Sequence, residues 1–456
     1  MRIRLMLLAT TVVSASLVGV PAALAGNHHP AIFEVTGEGN GPSWGPSTSA
    51  DGRYVAFVSS ANNLLGGDPS NDTNDADDVF VVDRTEGTIV LASRAPVSGL
   101  QANGASSHPS LSDDGRFVAF ETVATNLVPG DANGGLSDIV RIDLVDGTLA
   151  LVSRRGLAGV QGDDGSFAPS ISADGGLVSF ISQATNLVGN DTNHKVDAFV
   201  RNVVSGTTTR VSTDSNNKQA NNATYAAVLA GGGGFVAFSS IATNLVSGDT
   251  NGDRDVFFKN LATGKTLRAS VRSDGRQGNA SSEIEDISAN GRLIVLNSFA
   301  SNLIKNDGNN QGDVFVRDRV DQTTTRISKR GNVEADDDSF NASISADGAY
   351  IVFATRATNL GSGSDDNGST TDVFEFASAT KVLTRLTQDG EAGATDAGSY
   401  DAQITSNGSA VVFASLATDL VAGDNNGTDD VFVRTWTDLA RTTWAIERLS
   451  LPSPIG

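Results

Sequence analysis

Cysteine is absent from the 456 residues, methionine occurs twice and histidine four times. Without thiols the chain can form no disulfide, thiolate zinc site, iron–sulfur cluster or cysteine nucleophile. Basic charge is also scarce: 32 Lys and Arg stand against 53 Asp and Glu, a formal net charge of −21. Such a surface repels phosphate backbones and anionic headgroups, so nucleic acid is not an expected partner. After the first 20 residues no apolar run is long enough to span a bilayer, and membrane insertion is not expected either. What the chain does have is 39% hydrophobic residues, enough for a core, and 49 glycines.

The first residues read as an export signal. Arg2 and Arg4 give a basic start, residues 5–20 an apolar stretch, and Ala23-Leu24-Ala25 a small-residue cleavage site. Residues 1–25 are therefore expected to be a signal peptide, making the mature protein secreted or periplasmic; the alternative is an uncleaved anchor helix. Residues 26–40 form an N-terminal segment, and residues 41–456 a single domain.

Within that domain one phrase recurs, as Ser49-Ala50-Asp51-Gly52-Arg53-Tyr54-Val55-Ala56-Phe57 and again around Gly115 and Gly175, then more loosely through Gly233, Gly291, Gly348 and Gly408. These seven glycines are 57 to 63 residues apart, so seven copies of one supersecondary unit are present. In each, an Asp-Gly or related turn joins two short strands, a long polar loop leads to a third, and a second turn to a fourth. Tyr54-Val55-Ala56-Phe57-Val58 is a near-continuous apolar run, as a strand covered on both faces requires. The expected fold is all-β, a seven-bladed β-propeller of four-stranded antiparallel blades. A linear β-solenoid is the rival, but its coils are shorter and lack hairpins at this spacing. One fourth-type strand is surplus: residues 31–35 precede the first unit and residues 445–449 follow the last. The N-terminal one is the expected outer strand of the closing blade, since it would lock the ring.

The unit Pro-Ser-x-Ser-x-Asp-Gly-Arg-x-Val-Ala-Phe, with a later Asp-Val-Phe-Val and a closing Arg-x-Ser, resembles the TolB-like repeat, a relative of WD-type repeats. Residues 46–57, 109–120 and 169–180 match it closely, whereas Gly232, Asn290 and Asn407 replace the Asp in later copies. The resemblance covers nearly all of the mature chain and implies a propeller in an exported bacterial protein. It implies little about activity, because the N-terminal α/β domain of TolB itself has no counterpart in residues 26–40.

Candidate chemistry centres on the loop between second and third strands. In the fourth unit it contains Asp249, Asn251, Asp253 and Asp255, oxygen side chains at alternate positions, which is how calcium loops deliver their ligands. Related sets are Asp131, Asn133 and Asp138; Asp191, Asn193 and Asp197; Asp307, Asn309 and Asp313; Asp424, Asn426, Asp429 and Asp430; and Asp68, Asp72, Asp75, Asp77 and Asp78. Calcium (Ca2+) held in at least one loop is one reading; Asx turns without an ion are the other. A second phrase, beginning at Gln101, Gln161 and Gln277, lies between units and is expected on the opposite face.

Catalytic signatures are thin. Gly41-Pro42-Ser43-Trp44-Gly45 matches a nucleophile elbow, but a strand rather than a helix follows it. His28, His29, His108 and His194 show no metal-ligand spacing. The repeat is broken by Glu283, Glu285 and Asp286 before the fifth turn and by Tyr400-Asp401 before the seventh. Three functions remain open: a non-catalytic, monomeric propeller that binds a protein or glycan through its loop faces; a polysaccharide hydrolase or lyase with carboxylates at the central channel; and a structural or adhesive envelope component.

Overall fold

The computed structural model describes residues 38–452 except 67–71, 96–98, 129, 158, 362–367, 369, 389–394, 439–440 and 442. The signal peptide, the strand expected at 31–35, His28, His29 and Asp68 lie outside the described residues. Within them are seven four-stranded antiparallel sheets, each built from consecutive strands. In blade 1 these are Ser43–Thr48, Tyr54–Ser59, Asp78–Asp83 and Thr88–Leu91, from inner to outer. Blades 2 to 7 span residues 106–151, 166–210, 224–268, 282–326, 339–385 and 399–448. A small hairpin pairs Lys329–Arg330 with Val333–Glu334. The chain is a seven-bladed β-propeller.

Alternation along the second and third strands builds the core. Val55 and Phe57 turn toward blade 7, where they pack with Val412 and Val433, while Ala56 turns toward Val118 and Phe120 of blade 2. A large residue on one face and a small one on the other lets neighbouring sheets interdigitate. Seven such clusters fill the seven junctions, the last-to-first one included. Within five blades a phenylalanine of the second strand stacks on one of the third, as Phe57 on Phe80 with centroids 6.0 Å apart.

The first hairpin shows why the repeat reads Ser-x-Asp-Gly. In blade 2 Ser112 Oγ donates to Asp114 Oδ1 (2.6 Å) and accepts from Phe117 N (2.9 Å), closing the turn with its own side chains. Gly115 has φ +71°, and a Cβ there would collide with the Tyr54 ring of blade 1. The glycine is thus fixed by both turn and junction.

The outer strand of blade 7 is the C-terminal Trp444–Arg448, paired with Asp430–Trp436, so the place expected for residues 31–35 is already filled. Ring closure rests instead on hydrogen bonds. At the hairpin end of the channel Ala50 N, Asp113 N, Ala173 N, Gly232 N, Ala289 N, Ala346 N and Asn407 N each donate to the next blade's carbonyl, the last returning to Ala50 O. At the other end the first residue of every inner strand donates to the preceding blade, including Ser43 N to Asp429 O at 2.7 Å. Arg84 adds a staple to Glu447 (2.9 Å) and Thr435 (3.2 Å).

Candidate functional site

A meander of four strands puts the loop after the second strand and the connector after the fourth at the same end of the blade. The structure bears this out against the expectation of opposite faces. Gln277 Nε2, in the connector, donates to both Asp249 Oδ1 and Asp255 Oδ2 at 2.9 Å. Asp255, wholly buried, also accepts from Ser270 Oγ (2.6 Å) and faces Arg268 (3.2 Å) of the outer strand. Asn251 reaches Gly278 O at 3.0 Å and accepts from Asp253 N at 3.1 Å. The Asp-Gln-Arg-Ser set bolts one blade to the connector leading into the next.

Of the other expected calcium residues, Asp75, Asp77 and Asp429 make none of the described bolt contacts, Asp77 and Asp429 instead accepting from the next inner strand through their backbone carbonyls; the rest of the described ones fall into the same bolt. Asp191 and Asp197 meet Arg210 and Gln219; Asp307 and Asp313 meet Arg326; Asp424 and Asp430 meet Arg448. Asn193 and Asn309 each donate to a backbone carbonyl of the connector, and Asn426 donates to Gly39 O, just before the first strand of blade 1. In blade 2, Asp131 and Asp138 share Gln161, and Asn133 donates to Gly162 O, but Leu151 stands where blades 3 to 7 have arginine. Blade 1 repeats this with Asp72, Asp78, Gln101 and Leu91. Burial pushes Asp78 and Asp138 up to about 6. Among the described residues no group of three or more His, Asp or Glu is spaced to hold a metal ion.

The second place to look is the axis. All seven inner strands line a channel of about 550 Å3. At its waist, Ser47, Ser110, Ser170 and Ser343 each accept from a backbone amide of the next blade, as Leu111 N to Ser47 Oγ at 3.0 Å. Val228 breaks this ring because it has no acceptor for Ile287 N. Asp286 repairs it: one carboxylate oxygen takes Ile287 N (2.7 Å), the other Ile344 N (2.9 Å) and Ser343 Oγ (3.1 Å). Asp286 is therefore accounted for by the fold.

At the loop-side mouth every inner strand carries a bulge, which re-aims one residue at the axis. Five of these bulge residues have positive φ: Gly45, His108, Ala168, Asn341 and Asp401. Four are not glycine, and a left-handed backbone at such residues is strain of the kind found at binding sites. In blade 5 the bulged residue is Glu285. Its carboxylate accepts from Ala342 N at 3.2 Å; burial, with Glu283 and Asp286 nearby, pushes it up to about 8. Asp401 accepts from Asn341 Nδ2 at 2.8 Å, and burial raises it too. His108 lies 3.4 Å from Glu121, which raises the imidazole. Blades 3 and 4 offer only Ala168, Pro169, Ala226 and Ala227 here, so the mouth has a polar arc and a small apolar one.

An aromatic is the second residue of the inner strand in five blades: Trp44, Phe167, Tyr225, Phe340 and Tyr400, all partly exposed. Arg254 covers Tyr225 at 3.9 Å and Arg356 covers Phe340 at 5.3 Å. Glu285 and Asp401 are legible as breaks in the repeat; His108 reads as an ordinary histidine without metal-ligand spacing, and Asn341 and Glu121 are not singled out. Lining up the third place of the inner strand across all seven copies would have found the first two. Glu121 shows only through its contact.

No family model matches the chain, and no curated protein matches it. Solved structures do, at low identity. A prolyl endopeptidase has TM-score 0.53 and 10% identity, with 91% of this chain and 52% of that one covered. The chain thus spans about half the length of that enzyme. Oligogalacturonate lyase from Vibrio parahaemolyticus has TM-score 0.50 and 10% identity, covering 87% and 92%. A putative TolB from Agrobacterium tumefaciens has TM-score 0.39 and 14% identity, covering 71% and 91%. The likeness is one of propeller fold.

Proposed function

We propose that this chain is an exported, monomeric recognition propeller that binds a protein or glycan partner on its loop-bearing face, centred on the channel mouth, and does not turn the partner over. One observation carries the reading. The seven copies share the hairpin, the core and the buried aspartate–hydroxyl bond of the bolt, and diverge at the mouth, where Glu285, Asn341, Asp401 and His108 replace small residues. A repeat that is uniform where it folds and varied at one end is varied for something outside itself.

A hydrolase or lyase reading has its own support: Glu285, pushed up to about 8, is a carboxyl kept protonated near neutrality beside a channel, as a general acid must be. The two separate cleanly. Binding of the purified chain to panels of oligosaccharides and peptides, lost on Asp401→Asn, supports recognition. Cleavage of a polysaccharide that Glu285→Gln abolishes overturns it in favour of catalysis.

Calcium is kept as a proposal for blades 1 and 2 alone, where Asp72–Asp78 and Asp131–Asp138 face a neutral glutamine and no guanidinium.

A further inference from the structure

We propose that the group seated in the mouth is a cationic side chain, a lysine or arginine of a partner polypeptide; this rests on the recognition reading above and names its ligand. The channel lining contains four carboxylates, Asp113, Glu285, Asp286 and Asp401, and no lysine or arginine among the described residues. Two of the four are used internally. Asp286 takes three donors, and Asp113 takes Ser406 Oγ at 2.7 Å. Among the described contacts Glu285 is met by backbone amides, and Asp401 by a backbone amide, the neutral Asn341 amide and the nearby His108 imidazole, which Glu121 also claims; no lysine or arginine faces either. The one basic lining group, His108, is turned to Glu121. Two acidic side chains around a preformed cavity, with no lysine or arginine among its described lining residues, favour a ligand that brings a full positive charge; such a charge beside Glu285, which burial keeps protonated near neutrality, favours its ionised form.

The rim adds a second, independent attraction. Aromatic faces draw cations within about 6 Å. The protein already uses Tyr225 and Phe340 in this way for its own arginines, whereas Trp44, Phe167 and Tyr400 carry no such cation among the described contacts. Trp44 and Tyr400 belong to the two blades that bring Gly45 and Asp401 to the mouth. A cavity of about 550 Å3 admits one extended side chain with its backbone, but not a folded domain. The net charge of −21 steers a basic segment toward the surface.

The test titrates the full chain with short Gly/Ser peptides carrying a single Lys, Arg, Glu or norleucine, and with neutral oligosaccharides, following the His108 and Trp44 resonances by NMR. Lys and Arg peptides are expected to shift both, with affinity lowered about tenfold or more by Asp401→Asn together with Glu285→Gln. Ala226→Lys, which brings a cation from the apolar arc, should block binding without touching either carboxylate. Melting temperatures report whether each variant is folded. Equal binding of the norleucine peptide, or a sugar held at the mouth in preference to Lys, overturns the cationic assignment and leaves recognition standing. Failure of every probe to reach the mouth of the folded wild-type chain overturns both.

Discussion

In blades 3 to 7 the buried aspartate that opens the third strand meets an arginine from the outer strand: Arg210, Arg268, Arg326, Arg385 or Arg448. In blades 1 and 2 the same register position holds Leu91 and Leu151. The serine bond is kept in both groups, as 2.6 Å in blade 4 and 2.7 Å in blade 2. Two blades therefore close the bolt with a neutral glutamine amide and give the leucine to packing; Leu91 joins the junction core with blade 7. The difference teaches that the bolt's geometry, and not its charge balance, is what the repeat preserves.

The largest effect should come from taking the arginine out of a blade built around it. Arg268→Ala leaves Asp249 and Asp255 buried without their cation and is expected to cost about 3–5 kcal/mol in denaturant unfolding. Arg268→Leu, which copies blades 1 and 2, should cost clearly less. If the two variants are equally unstable, leucine is no substitute and the comparison breaks. Next in size, Gln161→Ala removes the amide shared by Asp131 and Asp138 and is expected to cost about 1–3 kcal/mol, more than Gln277→Ala in blade 4, where Arg268 remains.

A smaller effect concerns pH. Folded Asp78 and Asp138 titrate at about 6, above the value of about 3.9 for an unfolded aspartate. The folded state therefore binds these protons more tightly, and their contribution to stability grows as pH falls through that window. Leu91→Arg with Leu151→Arg brings a cation to each and should reduce this part of the pH dependence, leaving that of Asp286, which burial also pushes up to about 6, and of Glu285. Thermal melts at pH 7 and pH 5 read the difference. The smallest effect is calcium's. Any rise in melting temperature with millimolar calcium should vanish in the same double variant, and a rise that survives places the ion elsewhere.

Much of the fold was readable because it is written seven times. The glycine spacing and the Ser-x-Asp-Gly hairpin use neighbours in sequence, so local chemistry reveals them. The bolt does not: Gln277 lies 22 residues beyond Asp255, and only the meander's sense brings them to one face. The spacing of Asp249, Asn251 and Asp253 suits a cation loop and an Asx turn alike, because both draw on the same short oxygen side chains. The terminal strands misled for a related reason. Residues 31–35 and 445–449 have equally plausible patterns, and alternation says nothing about which edge is vacant. At the mouth, Glu285 announced itself as a charge in an apolar strand, whereas Asn341 looks ordinary until its φ is known.

Because the junction of blades 7 and 1 is tied by the same two girdles of amide bonds as the other six, the circle has no privileged seam. Glu38 illustrates this, accepting from Asn425 N and so occupying for blade 7 a station that an internal connector fills elsewhere. Order along the polypeptide and order around the circle are thus separable properties, and a permuted chain opening between any two blades would face the same set of joints.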